Sequence, residues 1–314
     1  VTSPALLLVG HGTRDDDGAE AFREFVEILK TRLPDTPVGG GFIELSPPPL
    51  ADAVAELVGQ GATRFAAVPL VLVSAGHAKG DIPAALVRER ERHPGTSFRY
   101  GRPLGPHPSL LTVLDRRLDE VVTPEERAET TVLLVGRGST DPDANAEVAK
   151  VARLFWEGRG LAGVETAFVS LAAPSVPDGL TRCRLLGAKR IVVLPYFLFT
   201  GILPDRVVEQ TREWAAAHAD LDVRQAGVLG ATEELAELVL ERYRETQQGD
   251  LRMNCDTCVY RIAMPGFEAK VGAPQRPHHH PDDPAHDHGH GGHGHHHDHD
   301  HGHGHGHGSH SHAH

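Results

Sequence analysis

Cysteine is scarce, with three residues in a chain of 314. Three cannot build a disulfide framework in a protein of this size, which points away from a secreted, cross-linked scaffold. Long apolar runs are missing as well. No stretch approaches the roughly 20 residues needed to span a bilayer, and no basic segment precedes the short apolar run at residues 5–9 as it would in a secretory signal. Basic residues are outnumbered, 31 Lys and Arg against 43 Asp and Glu, for a formal charge of −12. That balance argues against general binding to nucleic acid or to an acidic membrane. An anionic ligand would have to be held by local basic residues. Together these absences predict a cytoplasmic protein.

What is present is a regular alternation of strand and helix signals. Apolar runs without polar alternation read as buried strands at 5–10, 37–44, 65–73 and 97–102. Amphipathic patterns predict helices at 19–32, 48–60, 81–92 and 108–121. The alternation indicates parallel βα units, hence an α/β fold. The apolar fraction is 39% because the C-terminal end is almost all His, Gly, Asp and Pro. Core-forming sequence ends near Gly249.

The second half then repeats the first. Leu7-Leu8-Val9-Gly10-His11-Gly12-Thr13 matches Leu133-Leu134-Val135-Gly136-Arg137-Gly138-Ser139, and Leu133 stands 126 residues after Leu7. Gly41-Phe42-Ile43-Glu44-Leu45 matches Ala167-Phe168-Val169-Ser170-Leu171 at the same spacing, and residues 68–76 match 194–201 with one residue missing. One spacing preserved across separate strands indicates duplication. Four segments are expected: a first domain over 1–124, a degenerate second copy over 125–248, a segment over 249–276 and a tail over 277–314.

The copies differ where chemistry is expected. His11 follows the strand at 5–10, and His77 follows the strand at 65–73 in VLVSAGHAKGDIP, with Asp81 placed to cap the next helix and Pro83 in its first turn. If the strand order is the common 2-1-3-4, both histidines and Glu44 face one crevice at the carboxyl edge of the sheet. Two imidazoles and a carboxylate there suit metal handling. In the second copy His11 becomes Arg137, Glu44 becomes Ser170 and His77 becomes Ile202. The chemistry is therefore assigned to the first half, with the second as a substrate-binding wall.

The stretches VGHGTRD, FIELSPPPL, VLVSAGHAKGDIP and RPLGPHPSLL, in this order, resemble the class II chelatases of tetrapyrrole biosynthesis. The resemblance covers nearly the whole chain. It implies two homologous flavodoxin-like domains facing each other across a cleft, and insertion of a divalent metal, cobalt or iron, into sirohydrochlorin. It makes His11 and His77 the metal-binding and catalytic residues. Insertion displaces two inner N–H protons, so a base and a transient metal ligand are both required, and imidazole can serve as either. Glu44 could accept a proton, orient a histidine or simply hold structure. Arg14, Lys79, Arg102 and Arg137 are candidate anchors for the macrocycle's carboxylates, and His107 is a weaker candidate near the same rim.

Cys255 and Cys258 form a Met-x-Cys-x-x-Cys motif. Two thiolates at that spacing suit iron–sulfur, zinc or redox chemistry, and the resemblance implies an iron–sulfur cluster. Two cysteines cannot fill four positions, so the remaining ligands would come from tail histidines or from a second subunit, as in a homodimer. Cys183 reads as core packing. Of the 23 histidines only His11, His77, His93, His107 and His218 precede Pro277. The tail after it cannot form a packed core and is expected to be disordered. Its imidazoles suit cobalt, nickel, zinc or copper, either to feed the cleft or to buffer metal. In a rival reading the whole protein stores or delivers metal.

Overall fold

A computed structural model describes residues 3–249 and 268–273. Cys255, Cys258 and the histidine-rich tail lie outside the described residues, and so do the expectations attached to them. In the first half β1 (Ala5–Gly10), α1 (Asp16–Arg32), β2 (Val38–Phe42), α2 (Leu50–Gly59), β3 (Arg64–Pro69), α3 (Ile82–Arg92), β4 (Ser97–Tyr100) and α4 (Pro108–Asp119) follow in turn. The second half repeats the series with β5 (Thr130–Gly136), α5 (Pro142–Trp156), β6 (Gly163–Phe168), α6 (Val176–Leu185), β7 (Arg190–Pro195), α7 (Ile202–Ala216), β8 (Asp222–Gln225) and α8 (Glu233–Gln248).

Each half forms a four-stranded parallel sheet, ordered β2-β1-β3-β4 and β6-β5-β7-β8. Short loops on alternating sheet faces produce this order, and it brings the ends of β1 and β3 side by side. The strands run without polar alternation because both faces are covered. Leu6 and Leu8 of β1 enter one core, while Leu7 and Val9 enter another under α2 and α3. Asp15 caps α1, its Oδ1 accepting from the Gly18 N–H at 2.6 Å, so that helix starts before the predicted residue 19. The strands end earlier than predicted, β3 at Pro69 and not at 73. The residues beyond it turn out of the sheet to build the site. Among the described residues no helix is long and apolar enough to cross a membrane.

The order of the chain does not predict how the last helix of each half packs. α8 lies against β3, β4 and α1 of the first half, while α4 lies against β7 and α5 of the second. The exchange is marked by two arginines 125 residues apart, 242 against 117. Arg242 of α8 donates from Nη2 to the Leu104 carbonyl at 3.0 Å, and Arg117 of α4 donates from Nη2 to the Leu229 carbonyl at 3.0 Å. A single core accordingly runs through both halves, joining Leu6 and Leu8 to Val132 and Leu134 through Leu110 and Leu114 of α4 and Leu235 and Val239 of α8. An amphipathic helix fits either of two homologous sheets, so periodicity alone cannot choose between them.

Candidate active site

β1 ends at Gly10, and His11 is the next residue. Gly12 follows with φ of 117°, and a Cβ there would collide with the Glu44 carbonyl. Only glycine permits that approach, which is secured by Glu44 N–H donating to the His11 carbonyl at 3.1 Å. Beyond Glu44 the backbone makes a γ-turn. The Ser46 N–H donates to the Glu44 carbonyl at 2.8 Å, with Leu45 at φ 67°. That conformation is strained for leucine. The turn also ties back to the first loop, where Thr13 N–H donates to Ser46 Oγ at 2.8 Å. Glu44 is thereby set beside His11, with Oε1 3.0 Å from Nε2.

His77 arrives differently from the expected loop position. Residues His77–Asp81 form a π turn that runs directly into α3, with the His77 carbonyl accepting from the Ile82 N–H. Asp81, expected as a helix cap, has helical dihedrals and makes no capping bond. Its Oδ2 lies 2.6 Å from His77 Nδ1. A π turn absorbs one extra residue in a helix, and the first copy has one residue more than the second over this stretch. β3 and β7 are 126 residues apart (190 against 64), whereas β4 and β8 are 125 apart (222 against 97). In the second copy α7 begins at Ile202, the counterpart of His77, without such a turn.

The two imidazoles meet. Their Nε2 atoms are 2.8 Å apart, with ring centroids at 3.8 Å and planes at 81°. His77 is buried and His11 half-buried. Asp81 holds the Nδ1 proton of His77, and the Gly12 carbonyl lies 3.3 Å from His11 Nδ1. The tautomers decide which Nε2 donates; when both Nδ1 atoms donate, the two Nε2 lone pairs converge, an arrangement that a shared proton or a metal ion bridges. Ligands about 2.1 Å from a tetrahedral metal lie roughly 3.4 Å apart, so the pair must open to admit one. Among the described residues no three His, Cys, Asp or Glu side chains enclose a cation site.

The second half closes over this edge. The Thr200 carbonyl sits so near Gly18 at the start of α1 that a Cβ there would come within 2.6 Å of it. From α5, Glu147 Oε2 accepts from the Ser74 N–H at 2.7 Å. Burial, reinforced by nearby Asp143, pushes the Glu147 carboxyl up to about 7. Arg137, Ser170 and Ile202 stand at the positions equivalent to His11, Glu44 and His77. Leu171, counterpart of Leu45, has the same γ-turn at φ 62°, and both leucines and Ile202 are exposed.

The basic residues expected to anchor carboxylates divide into two groups. Lys79 is already paired, its Nζ 2.7 Å from Asp141 Oδ2 and 3.0 Å from Asp143 Oδ2. Burial pulls its ammonium pKa down, but those two carboxylates outweigh the effect and leave it raised. Arg102 forms a fork with Glu245 of α8, with Nε–Oε2 at 2.9 Å and Nη2–Oε1 at 2.5 Å. His107 caps α4 by accepting from the Ser109 N–H and lies 3.4 Å from Glu241. Arg14 and Arg137 are half-buried in the loops after β1 and β5. The sequence reading missed the roles of Asp81, Glu147 and the paired leucines. The four-residue spacing of His77 and Asp81 was a visible signal, but the other contacts have no local signature.

The model of the CbiX family matches twice, over residues 5–121 and again over 131–246. The chain belongs to the CbiX family. The class II chelatase resemblance of its motifs therefore holds. The chain is similar to a protein of Priestia megaterium named sirohydrochlorin cobaltochelatase, 39% identical over 83% of this chain and 85% of that relative. It is also similar to a sirohydrochlorin ferrochelatase of the same organism, 36% identical over 67% of this chain and 78% of the relative. Among solved structures, SirB from Bacillus subtilis with Fe3+ superposes with a TM-score of 0.70 at 30% identity, covering 80% of this chain and all of that one. SirB from subspecies spizizenii in complex with cobalt gives 0.67 at 28% identity over 79% and 98%.

Proposed function

We propose that this chain is an enzyme that inserts a divalent metal into sirohydrochlorin, with cobalt the preferred metal and ferrous iron the alternative. The converging Nε2 atoms of His11 and His77 carry the reading. Insertion forms metal–nitrogen bonds to the macrocycle and releases two protons from its inner nitrogens. One imidazole can present the ion while the other accepts a proton, and Asp81 supports the imidazolium so formed. Glu44 stands 3.0 Å from His11 Nε2, where it can accept the second proton released by the macrocycle. Leu45, Leu171 and Ile202 offer apolar contacts for the faces of the ring. Arg14 and Arg137 are the proposed anchors for its carboxylates. Lys79 and Arg102 are assigned to holding the fold, because their carboxylate partners tie the two halves together. The names of the relatives include both metals, so the preference for cobalt rests on the more similar one.

The test is to mix the full chain with sirohydrochlorin and either Co2+ or Fe2+ and follow the absorption spectrum. Conversion that disappears in His77→Ala supports the reading. Tight metal binding without conversion would favour storage or delivery by the tail over residues 277–314.

The cysteines of one chain cannot complete the four thiolates of an ordinary iron–sulfur cluster. Cys183 is buried in the core with its thiol pushed up to about 12 by burial, which leaves only Cys255 and Cys258. A homodimer with two thiolates from each chain would complete a cluster, and iron and sulfide analysis of anaerobic protein alongside its sedimentation mass tests that arrangement.

A further inference from the structure

The peptide that carries His77 is gripped from the other half of the molecule at two points. Ser74, three residues before His77, is buried and donates its N–H to Glu147 Oε2 at 2.7 Å. Lys79, two residues after it, reaches Asp141 and Asp143 at 2.7 and 3.0 Å. Of these three acids Glu147 lies in the second turn of α5, while Asp141 and Asp143 stand at its beginning, where Asp141 is the cap and its Oδ1 accepts from the Asp143 N–H at 3.1 Å. The positive end of the helix favours carboxylates there. All three are buried, as is the Lys79 side chain at 9% exposure. Buried polar partners of this kind fix geometry, because any displacement leaves a charge or an amide unsatisfied.

The grip is one-sided. Asp141 has a counterpart in Asp15, but Glu147 corresponds to Ala21 and Lys79 to Pro204. The clamp is thus present on the histidine-bearing peptide and lacks its key residues on the equivalent peptide of the second copy. This asymmetry follows the same line as the histidines themselves. From its own half the His77 peptide has a different support, the Tyr100 hydroxyl donating to the Ala78 carbonyl at 2.8 Å.

We propose that Glu147, together with the Asp141–Lys79–Asp143 cluster, positions the reaction by clamping the His77 peptide so that its imidazole meets that of His11. The second half then supplies alignment of the histidine pair in addition to a wall of the cleft. The inference rests on the chelatase reading only for its kinetic arm.

The test uses the full chain with Glu147→Leu, which removes the acceptor, and Glu147→Gln, which keeps one. Two measurements are made, steady-state Co2+ insertion and amide exchange across residues 74–81. Glu147→Leu should lower kcat by about tenfold or more, the loss expected for one buried charged hydrogen bond, with KM for sirohydrochlorin little changed. Its amides at 74–81 should exchange faster while those of β1 and β3 do not, and Glu147→Gln should restore most of both properties. Lys79→Met, which breaks the other grip, should show the same pattern. Unchanged kcat in a folded Glu147→Leu protein overturns the proposal, as does a fall in kcat with exchange at 74–81 unaltered. If the wild-type chain inserts no metal, faster exchange in the variant keeps the clamp and discards the chelatase reading. Unaltered exchange in that case discards the clamp as well.

Discussion

The two halves of this chain share a backbone and differ in what the backbone presents. Gly12 and Gly138 have positive φ at equivalent positions, Leu45 and Leu171 share the same strained turn, and Arg117 and Arg242 make matching bonds to Leu229 and Leu104. At the carboxyl edge, by contrast, His11, Glu44 and His77 face Arg137, Ser170 and Ile202. The glycines, leucines and arginines that shape these loops and helices are present in both copies, and the residues proposed to carry the chemistry are present in one. Constraint by the fold and constraint by the reaction are separable here because they fall on different residues of the same loops. At the π turn of His77 the backbone diverged as well, and the turn sets Asp81 against the His77 ring.

Breaking the comparison at the histidines should have the largest effect. His77→Ala or His11→Ala is expected to lower metal insertion by about 100-fold or more, the range for loss of a positioned acid–base group. Arg137→Ala at the equivalent site of the second half should leave kcat within a few fold and raise KM for sirohydrochlorin. Steady-state kinetics on folded variants decides, and equal losses at both sites would show that the halves share the chemistry.

The exchanged helices give the next contrast. Arg242 is fully buried, bonded to the Pro103 and Leu104 carbonyls and to Glu245, whereas Arg117 is partly exposed. Arg242→Ala should destabilise the protein by about 3 kcal/mol through lost packing and orphaned acceptors, and Arg117→Ala by about 1 kcal/mol. Urea denaturation of both variants ranks them.

A smaller difference concerns Glu147, whose first-half counterpart is Ala21. Its folded pKa is raised from 4.5 to about 7. The folded state therefore holds its proton more tightly than the unfolded chain does. The resulting stability is present at pH 4.5 and below and is lost as the pH climbs through 7. Glu147→Gln cannot ionise, so it should exceed the wild type in stability by up to roughly 3 kcal/mol at pH 8, with little difference at pH 4. Denaturation curves at several pH values test the sign.

The least effect on the cleft is expected from the end of the chain. Deleting residues 277–314 should reduce metal bound per protein, yet leave insertion near wild type at saturating metal. Metal analysis and turnover at low and high Co2+ check both parts, and an inactive truncation at saturating metal would make the tail part of the catalyst.

Much of this was legible in the residues alone, because it depends on local pattern. Buried parallel strands announce themselves as unbroken apolar runs, helices by their periodicity, and duplication by a constant spacing. That His11, His77 and Glu44 stand beyond the carboxyl ends of β1, β3 and β2 followed from those signals and a common strand order, but the π turn that carries His77 did not. The lateral contacts had no such signal. The exchange of α4 and α8, the clamp from α5 onto Ser74 and Lys79, and the pairing of Arg102 with Glu245 join residues more than 60 positions apart. Each depends on how two homologous sheets pack against one another. Sequence determined which side chains could do chemistry and on which edge they stand, since strand direction and loop placement are local properties. Tertiary structure alone decided that two imidazoles meet nitrogen to nitrogen and that Lys79 points at carboxylates, because the first distance depends on how the segments after β1 and β3 pack and the second on one half closing over the other.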